Sequence, residues 1–132
     1  ERFRFEEEVD PAILGCELPS LVLEPLTENA LTHGLERKAG KGALRIEGRL
    51  EGGDALVAFE DDGPGAPPEE LEELSARLAR AELPEEGRGL GLAATNRRLR
   101  LRYGGDYGLA VSAGRDGSGF RVELRVPCRK AT

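Results

Sequence analysis

Two parts of this chain alternate apolar and polar residues on both sides of a glycine-containing turn, and this limits the possible folds most. Residues 43–50 and 55–61 flank Glu51-Gly52-Gly53-Asp54, and residues 108–113 and 120–126 flank the stretch from Gly114 to Gly119. A period of two marks a strand with one buried face, and a short glycine turn joins two such strands into a hairpin. Phe3 and Phe5, at alternate positions of 3–9, add a further half-buried strand.

The remaining segments read as helices. Over 20–35, Leu23, Leu26, Ala30 and Leu31 share one face, Gly34 supplies a stop, and Pro25 kinks the helix or opens its regular part. Residues 67–83 form a charged helical stretch between Pro and Gly. Residues 90–103 form another, carrying Leu92, Leu99 and Leu101 and ending at Gly104-Gly105. Three helices and about five strands, with hairpins toward both ends of the sheet, predict an α+β fold. It is a two-layer sandwich in which a mixed, mainly antiparallel sheet packs on the helices. The whole of 1–132 reads as a single domain.

Composition removes several function classes. Asp plus Glu outnumber Lys plus Arg by 25 to 19, a net charge of −6. That excess argues against direct nucleic-acid or anionic-membrane binding. The absence of Trp and an aromatic share of 5% argue against a base-stacking platform. The chain begins at Glu1, lacks Met, and has no signal-like or membrane-length apolar run. It therefore reads as a soluble, monomeric piece of a longer protein, which either carries a membrane anchor elsewhere or does not. Cys16 and Cys128 show no metal spacing and read as reduced thiols of a cytoplasmic domain.

Three short segments carry the chemistry. In Glu28-Asn29-Ala30-Leu31-Thr32-His33-Gly34, helical spacing puts Glu28 and Thr32 on one stripe and Asn29 and His33 on the next. An Asn amide oxygen is a hard, neutral ligand suited to a magnesium ion that keeps most of its waters. Glu28 and His33 are placed to orient metal-bound water or meet phosphate; an ordinary solvated helix face has the same composition. In Asp61-Asp62-Gly63-Pro64-Gly65, a carboxylate follows a strand into a tight turn. Aimed into an apolar cavity, such a carboxylate accepts from the exocyclic amine of adenine, and Asp61 is favoured over Asp62 because it follows the strand directly. In Gly87-Arg88-Gly89-Leu90-Gly91-Leu92, bare amides precede a helix start, a recurring arrangement for phosphate. No Gly-Lys-Ser or Gly-Lys-Thr follows, so it is not a Walker loop. The charged stretch 66–86 between the last two segments reads as a lid or as a plain surface helix.

Taken in order, "ENALTHG", "DDGPG" and "GRGLGLAATNRRLRLRYGG" resemble the ATP-binding catalytic domain of sensor histidine kinases, of the LytS type most of all. The wider superfamily includes gyrase, heat-shock chaperone and mismatch-repair ATPases. The resemblance runs from about Phe3 to Pro127. It implies a Bergerat-type fold, with ATP and Mg2+ as ligands. Asn29 would hold the metal, with Glu28 and His33 as catalytic neighbours. Asp61 would bind adenine over a floor shaped by Gly63 and Gly65. Gly87, Arg88, Gly89, Leu90 and Gly91 would face the phosphates. Three positions depart from the family pattern: Thr32 where Lys is frequent, Ala94 where Asn is frequent (Asn96 stands displaced), and Phe120 where Thr is frequent.

Superfamily hydrolases place a general-base Glu four residues before the metal Asn; Pro25 stands there and cannot serve. The resemblance therefore points to a protein-histidine kinase. Its γ-phosphoryl acceptor would be a histidine on a dimerisation domain upstream in the same protein, and a response regulator would take the group onward. His33 is the sole histidine and belongs to the site, so this fragment is not expected to phosphorylate itself. A non-catalytic nucleotide-binding regulatory module, or a serine kinase or ATPase of the same superfamily, is the alternative.

Overall fold

The computed structural model describes residues 3–17, 42–63, 65–80, 90–114 and 119–129. Its elements in chain order are β1 (Phe3–Val9), a 3-10 turn (Pro11–Gly15), β2 (Gly42–Glu51), β3 (Asp54–Asp61), α1 (Pro68–Ala79), α2 (Leu90–Tyr103), β4 (Gly108–Ala113) and β5 (Phe120–Pro127). The strands lie in the order β1-β2-β3-β5-β4. Among the described residues, only the β1–β2 pair is parallel. This is the expected mixed α+β sheet with helices. The predicted helix over 20–35 lies outside the described residues.

The hairpins form where the alternation placed them. Gly52 and Gly53, at φ of 56° and 89°, make a two-residue turn, and Glu51 pairs with Asp54 across it. Pro67 and Pro68 start α1, and Glu69 and Glu70 in its first turn favour the positive end of the helix. Both helices pack over β4, and α2 also reaches β5. Val57, Phe59, Leu109, Val111, Val122, Leu124 and Val126 form the sheet side of the core, against Leu74, Leu78, Leu92 and Leu99 of the helices. In α2, positions 92, 96 and 99 make the buried stripe. Leu101 lies off it and is 77% exposed.

The face turned away from the helices carries charge in register. Glu6 stands beside Arg45, Arg45 beside Glu60, and Glu60 beside Arg121. The Arg121 guanidinium donates to Glu47 (2.7 Å), Glu60 (2.8 Å) and Glu123 (3.1 Å). Burial works against its charge, yet the three carboxylates outweigh that and hold its pKa above the ordinary arginine value. Its side chain is only 18% exposed. We therefore expect Arg121→Gln to destabilise the domain by about 2 kcal/mol in urea unfolding. This is below the 3–5 kcal/mol of a fully buried pair, because the partners reach solvent. The exposed Arg49–Glu51 pair serves as the contrast. Arg49→Gln should cost under about 0.5 kcal/mol, and equal losses for the two variants would refute the burial argument.

One expectation is overturned. Cys16 and Cys128 are not reduced thiols but a disulfide with Cα atoms 5.0 Å apart. The 3-10 turn brings Cys16 back beside the end of β5, where the Glu17 N–H donates to the Arg129 carbonyl at 2.7 Å. A separation of 112 residues concealed this neighbourhood, and metal-ligand spacing carries no information about it.

Candidate nucleotide site

Alternation along β3 sends Ala55, Val57, Phe59 and Asp61 toward the helix layer. Three apolar residues and then an acid on one buried face give a carboxylate at the rim of the core, 7% exposed. Asp61 sits between Leu44 of β2 and Phe120 of β5, both buried. Its Oδ1 accepts from the Gly63 N–H at 2.9 Å, which closes the turn on the acid.

Asp62 has a different task. Its Oδ1 accepts from the Ala43 N–H at 2.8 Å and so pins the turn to the start of β2. The choice of Asp61 as the inward acid agrees with this division. Gly65 adopts φ of 75°, and a Cβ there would collide with the Gly119 carbonyl oxygen. Gly119 in turn lies against the Asp61 carbonyl, at φ of 84°. Two close backbone approaches therefore fix the turn against the start of β5. A cleft of about 200 Å3 opens beside it, lined by Ala66, Leu71, Leu74 and Phe120 and by the charged Glu70, Glu73 and Arg77. A larger one, about 400 Å3, lies on the far face of the sheet around Glu47, Ala58 and Arg121, away from Asp61.

Of the third segment, Leu90 opens α2 and Gly91 follows on an exposed turn. A Cβ added at Gly91 would meet nothing within 4 Å, so packing among the described residues does not demand glycine there. Gly87, Arg88 and Gly89 lie outside the described residues, as do Glu28, Asn29 and His33. The structure thus brings Asp61, Gly63 and Gly65 together, and the grouping of the rest is untested by it. The stretch expected as a lid or surface helix is divided. Residues 68–79 are a helix anchored in the core by Leu74 and Leu78, and 81–86 lie outside the described residues.

Sequence reasoning gave Asn96 no role except as a displaced residue. The structure makes it a buried junction. Its Nδ2 donates to the Leu78 carbonyl at 2.9 Å and its Oδ1 accepts from the Leu109 N–H at 2.8 Å. An amide on the stripe of Leu92 and Leu99 was the available signal, since a polar group there must find partners.

The sequence matches the family described as histidine kinase-, DNA gyrase B-, and HSP90-like ATPase over residues 17–130. Sensor histidine kinase YesM of Bacillus subtilis (strain 168) is 33% identical over 135 residues, covering 98% of this chain and 21% of the relative. Sensor protein LytS of Oceanobacillus iheyensis is 30% identical over 121 residues, covering 92% of this chain and 20% of the relative. The chain thus spans about a fifth of the length of these relatives. Among solved structures, the catalytic domain of histidine kinase ThkA superposes with a TM-score of 0.70 at 18% identity, over 98% of this chain and 82% of that one. That enzyme has also been crystallised in complex with a response regulator protein, TrrA. A buried acid at the end of β3, the ordered motifs and these matches agree: the chain belongs to the histidine kinase-, DNA gyrase B-, and HSP90-like ATPase family and is homologous to sensor histidine kinases, LytS among them.

Proposed function

We propose that this domain binds Mg-ATP and presents the γ-phosphoryl group to a histidine on a separate, upstream dimerisation domain of the same protein. The observation that carries the reading is Asp61: a carboxylate 7% exposed, held at a strand end by the Gly63 N–H, beside a cleft and inside a family of ATPases. Burial strengthens its hydrogen bond to an exocyclic amine and disfavours a carbonyl in the same place, so adenine is selected over guanine.

Asp61 fixes the base, with Gly63 and Gly65 letting the turn approach it closely. Asn29 is the residue to hold magnesium, which would neutralise phosphate charge. Glu28 and His33 act beside it as catalytic groups. Gly87, Arg88, Gly89, Leu90 and Gly91 meet the phosphates, aided by the positive N-terminal end of α2. In the transfer, the acceptor imidazole nitrogen bonds the γ-phosphorus as the bond to the bridging oxygen breaks and ADP leaves. The protein's share is positioning and charge neutralisation, which suits Pro25 in place of a general base. A response regulator would receive the group, as the ThkA–TrrA pairing suggests by analogy. The domain is taken as cytoplasmic and monomeric. No helix among the described residues is long and apolar enough to cross a membrane.

The test is calorimetric titration with ATP, ADP and GTP, with and without magnesium. Asp61→Asn is the informative variant, because its amide oxygen still accepts from Gly63 while its NH2 opposes the adenine amine. The expected loss is about 10- to 100-fold in ATP affinity, the equivalent of one charge-assisted hydrogen bond. Asn29→Ala should make binding insensitive to magnesium. No binding at millimolar ATP, or a folded Asp61→Asn protein that binds as well as the parent, would overturn the reading.

A further inference from the structure

We propose that Cys16 and Cys128 form a reversible redox clasp, closed by exchange with a low-molecular-weight disulfide and opened by a small thiol. The pair joins the end of the 3-10 turn to the residue after β5, across 112 residues of sequence. Backbone contacts hold both partners in place independently of the sulfurs. The Cys16 N–H donates to the Ile13 carbonyl at 3.0 Å, the Glu17 N–H to Arg129 at 2.7 Å, and the Cys128 N–H to Gly53 at 2.9 Å. Two thiols kept opposite one another in this way reclose intramolecularly, with a high effective concentration. Both cysteines are only partly buried, at the margin of the core, so small thiols and disulfides reach them.

The position gives the clasp a consequence. The chain beyond Cys16 runs straight into 18–41, which carries Glu28, Asn29 and His33, and the closed loop contains all three nucleotide segments. Closing a loop of this length restricts the unfolded chain strongly, so the oxidised domain is the more stable form.

The chemistry balances within thiol–disulfide exchange. The Cys128 thiolate attacks one sulfur of the small disulfide, whose S–S bond breaks and releases one small thiolate. The Cys16 thiolate then attacks the Cys128 sulfur of the mixed disulfide and expels the second. Two protein thiols are oxidised, and one small disulfide is reduced to two thiols. Both sulfurs lie at the same margin of the core, so the two cysteines can exchange these roles without changing the balance.

The test equilibrates the 132-residue chain in native buffers of graded reduced-to-oxidised glutathione ratio, alkylates free thiols and counts them by intact mass. Molecules should carry either no free thiol or two, changing over within the range of the buffer. The oxidised form should melt about 10 °C above the reduced form. Cys16→Ser/Cys128→Ser should melt with the reduced protein in every buffer, and Cys16→Ser alone should take up one glutathione. Two free thiols persisting in the most oxidising buffer would overturn the clasp. So would a bond that excess glutathione never opens, or forms that melt within a degree or two of each other.

Discussion

Replacing Asn96 with leucine is expected to lower the free energy of unfolding by about 3 kcal/mol, because the buried Leu109 N–H would lose its partner and the Leu78 carbonyl would keep only the N–H of Arg80. Asn96 is wholly buried. Its carboxamide bridges the Leu78 carbonyl, in the last turn of α1, and the Leu109 N–H, near the start of β4. Neither group has water to turn to once the amide is gone, and a leucine of similar volume offers no donor or acceptor. Gly108 sharpens the case. It takes φ of 128°, and a Cβ there would collide with Asn96 Oδ1. The strand therefore begins in a conformation fitted around the amide. Urea unfolding monitored by circular dichroism measures the loss. A decrease below about 1 kcal/mol would mean that the junction relaxes and finds other partners. Since α1 follows the turn at Asp61, a loosened α1 should also weaken ATP binding in whatever fraction stays folded.

The strands were readable because one face of each is buried and the other is not. Val57, Phe59 and Asp61 are buried against the half-buried Leu56 and Glu60, with Ala58 the exception as a small residue also covered on the far face, and the turn at Gly52-Gly53 has the residues its geometry demands. β1 was legible as a strand, but its parallel pairing with β2 was not, since no local pattern encodes which neighbour an edge strand takes. In α2, the apolar residues Leu92, Leu99 and Leu101 were read together, and the helix buried only the first two with Asn96 between them. A leucine count does not say where a stripe runs, whereas a 3.6-residue period does. The disulfide and the Arg121 cluster escaped altogether. Both join residues distant in the chain, and neither cysteine nor arginine advertises its partner. At the site, Asp61 could be chosen over Asp62 because strand direction decides it. The tie from Asp62 to Ala43, and the seat of the turn on Gly119, required the fold.

That seat provides the second large effect. Gly119→Ala is expected to destabilise the domain by about 4 kcal/mol and to lower the ATP affinity of the folded remainder more than tenfold, by the combination of left-handed strain and overpacking against backbone. A Cβ at Gly119 would collide with the Asp61 carbonyl oxygen and lie 3.3 Å from the Asp62 Cα, and neither atom is the end of a flexible side chain. The φ of 84° adds strain for any residue with a Cβ. To make room, the end of β3 must move away from β5, and Asp61 moves with it. Gly52→Ala isolates the strain alone: its φ is 56°, but a Cβ there meets nothing within 4 Å. That variant should lose only about 1–2 kcal/mol and bind ATP as the parent does. Thermal melts and ATP titrations of the two proteins side by side decide the matter. Equal losses of stability would show that backbone strain accounts for both positions. A stable Gly119→Ala protein with full ATP affinity would show that the turn bearing Asp61 does not depend on its contact with the start of β5.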